Sequence, residues 1–182
     1  MTSLLLDGVM PQYDFYERHE RVVAAPADAV RRAIDTWRPS DAFLFRLLFR
    51  MRGLGSPRGT LREWAEGLGF VCLAETEHEA VYGQIGRFWA LNERDALVSP
   101  RTPEDFLAFD DARYAVAAMN VRVEPLAPER TRLYTETRVR ALGSGARRRF
   151  RLYWLLIRPF SGLLRGQMLR GIDKEARRLA RG

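Results

Sequence analysis

The segment from Thr131 to Ala141 alternates strictly between two kinds of side chain. One set consists of Leu133, Thr135, Thr137, Val139 and Ala141, and the set between them consists of Arg132, Tyr134, Glu136, Arg138 and Arg140. Because successive side chains of a β-strand point to opposite faces, this pattern predicts a strand with one covered face and one face in water. Such a strand is typical of an antiparallel sheet that packs against the core on one side.

Four other segments have strand-like composition, with aromatic and β-branched residues bounded by turn residues. They are Tyr13–Ala25, Phe70–Thr76, Ala80–Trp89 and Arg113–Glu124. The second and third are predicted to form a hairpin through residues 77–79. Gly83 and Gly86 inside the third predict a bulge or a bend of the sheet.

Two helices are predicted between the first strand and the others. The first begins near Pro26 and Asp28, where a proline in the first turn and an early acid favour a helix start. The second covers Ala42–Arg52 and is apolar nearly all round, so it is either enclosed by protein or lies against another apolar surface.

A long C-terminal helix is predicted from Arg147 almost to the end of the chain. Phe150, Tyr153, Trp154 and Ile157 follow at helical spacing and form one apolar stripe. Pro159 lies within this helix and predicts a kink or a break near Arg158, because proline lacks the backbone donor that the preceding turn needs.

The length of 182 residues and the hydrophobic content of 47% favour one domain with its own core, spanning residues 1–182. Residues 1–11 are expected to form a loose N-terminal extension. No apolar run reaches membrane-spanning length, and the start of the chain lacks a basic leader, so a cytoplasmic location is expected. The single cysteine, Cys72, excludes an internal disulfide.

The formal charge of +7 is concentrated in one part of the chain. Residues 145–182 carry 11 basic and 2 acidic residues, which gives +9, and the remainder carries −2. Coding bias toward arginine explains such an excess, and so does an anionic partner. Arg46, Arg50 and Arg52, together with the basic C-terminal helix, indicate peripheral contact with an anionic membrane as one such partner.

Few residues suit metal binding or nucleophilic catalysis. His19 and His78 are far apart and have no neighbouring ligand set at metal spacing, and no base partner for Cys72 can be placed. The glycines of residues 53–59 lack the order of a dinucleotide fingerprint. The sequence therefore predicts no metal and no cofactor, and it identifies no catalytic residue.

Segregated helices and strands favour an α+β fold in which a curved antiparallel sheet wraps around the long C-terminal helix. Small residues of one strand, Ala115 and Ala117, would then face bulky residues of the helix. This arrangement either interdigitates or leaves an apolar cavity.

Several strings resemble the SRPBCC superfamily, the START-like and polyketide-cyclase-like proteins with a helix-grip fold. They are residues 22–30, 83–89, 135–139 and 150–154, and the resemblance extends over about Tyr13 to Arg178. It implies an apolar pocket between sheet and C-terminal helix that holds lipids, polyketides or other hydrophobic molecules. It carries no catalytic motif.

Two functions follow as hypotheses. The first is non-catalytic binding or transport of a hydrophobic small molecule or lipid. The second is a cyclase-like or aromatase-like enzyme that uses the same cavity. The candidate ligand-binding residues are Tyr82, Arg87, Trp89, Met119, Thr135, Thr137, Tyr153, Trp154 and Ile157. Nucleic acid is not expected as a partner, because the aromatic face of the basic helix is predicted to be buried.

Overall fold

The computed structural model describes residues 4–43, 46–47, 59–90 and 96–182. The helices are α1 (Leu5–Val9), α2 (Ala27–Thr36), α3 (Leu61–Gly67), α4 (Pro103–Leu107) and α5 (Ser144–Leu179), with a short 3-10 turn at Pro39–Asp41. The strands are β1 (Phe15–Val23), β2 (Val71–Glu75), β3 (Glu79–Gly86), β4 (Leu97–Val98), β5 (Ala115–Ala127) and β6 (Arg130–Ala141).

These strands form one curved antiparallel sheet in the order β1-β6-β5-β3-β2, with β4 paired to β3. The first and last strands of the chain are therefore neighbours, and the long helix α5 follows the last strand directly. This is the predicted α+β helix-grip fold, and the prediction is confirmed. The predicted irregularity near Gly83 is found in the partner strand β2, where the register shifts between Cys72 and Ala74.

The helix predicted over Ala42–Arg52 is only partly covered by the described residues. Phe43, Arg46 and Leu47 are helical and exposed, and the rest of that prediction, like most of the glycine-containing loop of residues 53–59, lies outside the described residues. Helix α3 begins at a capping box in which Thr60 and Glu63 bond each other's backbone N–H groups.

The chain divides into two compact units. The first, called unit 1, comprises the described residues up to Arg18, Gly69–Val121 and Glu136–Pro159; unit 2 comprises those of His19–Leu68, Arg122–Thr135 and Phe160–Gly182. Strands β1, β5 and β6 and helix α5 contribute residues to both. The single-domain organisation stays a prediction.

The N-terminal residues are not a loose extension, and that expectation is wrong for residues 5–10. Leu5–Val9 form α1, and the side chains of Leu6 and Met10 are 0% and 3% exposed. They belong to a core cluster of unit 1 with Val81, Ile85 and Phe106. Burial of these apolar side chains fixes α1 against the sheet.

The prediction that one side of β6 faces water is wrong for most of that side. Tyr134, Glu136 and Arg138 are 4%, 6% and 6% exposed, and only Arg140 lies in water as predicted. In unit 1 these side chains are buried because α1 and the residues that follow it cover them with apolar groups and pair with their charges.

Helix α5 continues through Pro159 as one helix, so the chain does not break there, and the alternative of a kink stays a prediction. None of the helices in the described part of the chain carries an apolar stretch long enough to cross a bilayer.

Candidate ligand-binding site

The sheet of unit 1 has two sides that differ in chemistry. Strand alternation places Val81 and Ile85 of β3 on the same side as α1, in the core cluster that contains Leu6. Ala115 of β5 and Val139 of β6 lie on the other side, in a core cluster with Phe150 of α5. These are called the α1 side and the α5 side.

The α1 side of unit 1 contains a buried hydrogen-bond network. The carboxylate of Glu79 accepts from the backbone N–H groups of Leu5 and Leu6 at 3.1 and 3.4 Å and from the Asn120 side-chain amide at 2.7 Å. The Asn120 side-chain oxygen in turn accepts from the Glu136 backbone N–H at 2.7 Å. Glu79 of β3 therefore caps the N-terminus of α1 and accepts from N–H groups that have no partner within a helix.

Arg138 completes this network. Its guanidinium donates to Glu136 at 2.6 Å, to Asp7 at 2.7 Å and to the Met10 carbonyl at 3.0 Å, and it lies 4.7 Å from the Tyr13 ring centre. Burial disfavours the charged guanidinium, but the hydrogen bonds to Glu136 and Asp7 outweigh it and raise the pKa of Arg138. The α1 side is thus closed and internally paired.

The α5 side of unit 1 is aromatic. Phe150 and the five rings that surround it are called the aromatic cluster: Phe15, Phe88, Trp89, Phe150, Tyr153 and Trp154. The centre of the Phe150 ring lies 4.9 Å from Phe15 and 5.7 Å from both Tyr153 and Trp154. Phe88 and Trp89 contact it edge-on at 6.1 and 6.4 Å. These are favourable aromatic geometries.

The aromatic cluster is closed at its centre and open at its margin. Phe150 is 2% exposed, whereas the other five rings are only half-buried. Ala117 and Met119, on the same side of β5, are half-buried as well. Part of this apolar surface is therefore accessible, as a concave apolar binding site requires.

Polar groups are buried on the same side. Thr137 is 9% exposed, and its hydroxyl Oγ1 has no hydrogen-bond partner among the residues that the structure describes. By strand alternation Glu17 of β1 and Gln84 of β3, each 7% exposed, also face this side. A buried hydroxyl without a partner is costly, so Thr137 indicates a place where a ligand or water supplies the missing bond.

Seven of the nine predicted site residues lie on the α5 side of unit 1. Trp89, Tyr153 and Trp154 belong to the aromatic cluster. Tyr82, Met119 and Thr137 share its side by alternation, and Ile157 is half-buried one turn further along α5.

Arg87 is placed differently. Its guanidinium lies 5.4 Å from the ring centre of Tyr114, which packs edge-on against Phe109 beside the α1-side core. Arg87 also contributes to lowering the pKa of Asp111 to about 2, although hydrogen bonds from Arg113 are the larger cause. Arg87 therefore does not join the aromatic cluster.

Thr135 is the remaining predicted residue and belongs to unit 2. It is fully buried, and Arg165 of α5 donates to its hydroxyl at 3.3 Å and to Ser161 at 3.4 Å. The Thr135 hydroxyl is thus already occupied by a protein donor.

Unit 2 also has a cleft of about 1000 Å³, which is lined by six basic and two acidic residues among others. The residues that line it are Thr36, Trp37, Arg38, Asp41, Ala42, Gln167, Arg170, Gly171, Lys174, Glu175, Arg177, Arg178 and Arg181. Asp173 holds Arg177 and Arg21, and Glu175 holds Arg178, each at 2.6 Å. Its charge distinguishes this cleft from the apolar cavity predicted by the sequence.

Three inward-facing polar residues were missed by sequence reasoning: Glu17, Gln84 and Arg165. Glu17 and Gln84 share the alternation of Phe15 and Tyr82, so that pattern could have found them. Arg165 follows Ile157 by eight positions in a segment rich in arginine, and nothing local distinguishes it from its exposed neighbours.

The residues considered for other chemistry stand apart. His78 is exposed at the β2–β3 turn, and His19 and Cys72 are half-buried in separate strands. Within the described ranges, no group of three or more His, Cys, Asp or Glu side chains is arranged to hold a metal ion.

No family model matches the sequence, and no curated protein matches it. Among solved structures, the Zhui aromatase/cyclase from Streptomyces sp. R1128 matches with 16% identity, a TM-score of 0.34 and coverage of 90% of this chain and 94% of that chain. The di-domain ARO/CYC BexL from the BE-7585A biosynthetic pathway matches with 14% identity, a TM-score of 0.37 and coverage of 90% and 47%. A Thalictrum flavum norcoclaurine synthase point mutant matches with 12% identity, a TM-score of 0.35 and coverage of 89% and 93%.

Identities and scores at this level carry neither a ligand nor a reaction over to this chain. The order of elements and of strands, with the long C-terminal helix after the last strand, gives the class. The fold is an α+β helix-grip fold.

Proposed function

We propose that the protein binds a hydrophobic small molecule or lipid on the α5 side of unit 1. The observation that carries the proposal is an accessible aromatic cluster beside a buried hydroxyl, Thr137 Oγ1, that lacks a partner. Water leaves the apolar surface when a ligand binds, which contributes about 2.5 kcal/mol per 100 Å² buried. The hydroxyl adds a specific contact for a carbonyl or hydroxyl oxygen of the ligand.

The ligand class follows from these two features. The rings of Tyr153 and Trp154 favour an aromatic or unsaturated molecule, since offset and edge-on contacts add to apolar burial. A ligand with one oxygen near Thr137 restores the missing hydrogen bond, which contributes about 1 kcal/mol.

The first experiment asks what the purified protein carries. Native mass spectrometry followed by organic extraction is expected to recover an apolar molecule, and neutral N-phenylnaphthylamine is expected to bind to the emptied protein with increased fluorescence. Protein that carries nothing and binds neither this probe nor a fatty acid would contradict the proposal.

Two substitutions locate the site. Ala117→Leu fills accessible space on the α5 side and is expected to weaken probe binding at least about tenfold. The matched control Ala108→Leu adds the same group at an exposed residue after α4 and is expected to leave binding unchanged. Equal binding in both variants would place the probe elsewhere.

A second candidate is an enzyme of the cyclase or aromatase kind that acts on a ligand in the same place. Glu17 favours it, because a buried carboxyl on the α5 side is a titratable group that could move a proton. Incubation of the extracted ligand with emptied protein separates the two functions. A carrier returns the molecule unchanged, whereas an enzyme changes its structure and loses that activity in Glu17→Gln but not in Glu20→Gln.

The cytoplasmic location and the absence of a nucleic-acid partner stay predictions. Peripheral contact with an anionic membrane is likewise a proposal. Arg46 is exposed and donates to the Ser40 carbonyl, whereas residues 50 and 52 lie outside the described residues.

A further inference from the structure

The outward face of α5 in unit 1 is more apolar than a water-facing helix surface. Leu152, Leu155 and Leu156 are 68%, 69% and 71% exposed. Exposed leucines that occur singly are normal, but three on adjacent turns of one helix form a continuous patch. These three residues are called the leucine patch.

Helical geometry places the leucine patch opposite the aromatic cluster. The inward stripe contains Phe150 and Trp154, and at 3.6 residues per turn Leu152 and Leu156 lie on the other side of the helix axis. The patch therefore takes no part in the core of unit 1.

Cations flank the leucine patch on the helix surface. Arg148, Arg149, Arg151 and Arg158 are all exposed, and none has a carboxylate partner within the described ranges. Helical spacing puts Arg151 and Arg158 along one edge of the patch and Arg149 along the other. The sequence has no acidic residue from 137 to 172.

We propose that the leucine patch and its flanking arginines bind the surface of an anionic bilayer, with α5 lying in the plane of the interface. An apolar strip flanked by arginine is the pattern of an interfacial helix, in which leucines enter the acyl boundary and guanidinium groups contact lipid phosphates. A second copy of this chain fits the patch less well. Pairing two copies through it would bring their arginines together with no acidic residue on either surface to offset them.

This contact does not depend on the proposed ligand. It uses the outward face of α5, whereas the ligand site uses the inward one, so protein emptied of ligand is expected to bind vesicles equally well. Failure of vesicle binding and failure of ligand binding are therefore separate results.

Vesicle flotation with protein emptied of ligand tests the contribution of the leucine patch to membrane binding. Binding is expected to vesicles of phosphatidylcholine with about a third phosphatidylglycerol, and to be at least about tenfold weaker to pure phosphatidylcholine. Leu152→Ser/Leu155→Ser/Leu156→Ser is expected to lower the partition coefficient at least about tenfold. The control Leu97→Ser/Leu107→Ser/Leu126→Ser removes three other exposed leucines and is expected to change it less than about twofold.

A second pair of variants tests the charges. Arg148→Gln/Arg149→Gln/Arg151→Gln is expected to abolish the preference for anionic vesicles. Arg170→Gln/Lys174→Gln/Arg181→Gln removes the same charge from the cationic cleft of unit 2 and is expected to retain most of it. Equal loss in both variants would show attraction by net charge alone and would overturn the proposal.

The mass of the protein in solution tests whether a second copy of the chain covers the leucine patch instead. The protein without lipid is expected to have the same mass by light scattering as the leucine-patch variant. A dimer that the three serine substitutions convert to a monomer would make the patch a protein interface and overturn the bilayer assignment. Circular dichroism of each variant confirms that a loss of binding does not reflect unfolding.

Discussion

The two sides of the unit 1 sheet differ in how their buried polar groups are hydrogen-bonded. On the α1 side, Glu79, Asn120 and Arg138 are buried and hydrogen-bonded: Asn120 donates to Glu79 and accepts from the backbone of the adjacent strand, and Arg138 donates to α1. On the α5 side, the Thr137 hydroxyl is buried and lacks a partner among the described residues.

The difference shows on which side the buried polar groups are paired by residues of the protein itself. A network in which charges and amides are paired rigidifies the structure and leaves nothing for a ligand to satisfy. A side with accessible rings and an open hydroxyl gains stability when another molecule binds. Four predictions test this contrast, beginning with the largest effect.

Arg138→Met should lower the free energy of unfolding by about 3–5 kcal/mol, because it leaves the Glu136 carboxylate buried without its partner. Urea unfolding followed by circular dichroism measures this. The control Arg140→Met removes the exposed arginine two residues along and should change stability by less than about 0.5 kcal/mol. Similar losses in both variants would mean that the α1 side is not closed.

Leu6→Ala should cost about 3 kcal/mol, since the side chain is fully buried and its removal leaves a cavity beneath α1. The exposed Leu107→Ala serves as the control in the same urea titration. A loss as small as that of the control would restore the loose N-terminal extension expected from the sequence.

Two neighbouring threonines of β6 should respond with opposite signs. Thr137→Val removes an unpaired hydroxyl and should stabilise the ligand-free protein by about 1 kcal/mol, while weakening ligand binding. Thr135→Val removes the acceptor of Arg165 and should destabilise by about 1 kcal/mol. Thermal unfolding of the two emptied variants measures the pair, and the same sign for both would remove the case for an open hydroxyl.

The smallest effect concerns pH and the turn before β5. Hydrogen bonds from Arg113 lower the pKa of Asp111 from 3.8 to about 2. The stability that the ionised carboxylate contributes is therefore complete above pH 3.8 and lost as the pH falls through about 2. Asp111→Asn should unfold at a slightly lower temperature than the unchanged protein at neutral pH, and the difference should shrink as the pH falls through about 2 and vanish below it. A difference that persists there would have another cause.

Much of the fold could be predicted because local patterns specify local elements. The alternation of Thr131–Ala141 gave β6, and the stripe of Phe150, Trp154 and Ile157 gave α5, since periods of two and 3.6 distinguish strand from helix. Seven of the nine site residues predicted from these patterns lie on one side of the sheet, and their role stays a prediction. The direction of Arg87 could not be predicted, because it lies beyond the end of β3, where alternation no longer fixes the direction of a side chain.

Local spacing in the sequence was enough to predict the five longer strands, helix α2 and the aromatic face of α5, because these depend on side chains a few positions apart. It did not predict α1, α4 or β4. Which charges are buried depends instead on contacts between residues that are far apart in the sequence. Asp7 meets Arg138 across 131 positions, and Asn120 meets Glu79 across 41. From local spacing alone, a strand face that carries charges is predicted to lie in water. The residues that pair with those charges are distant in the sequence, so local spacing does not indicate them.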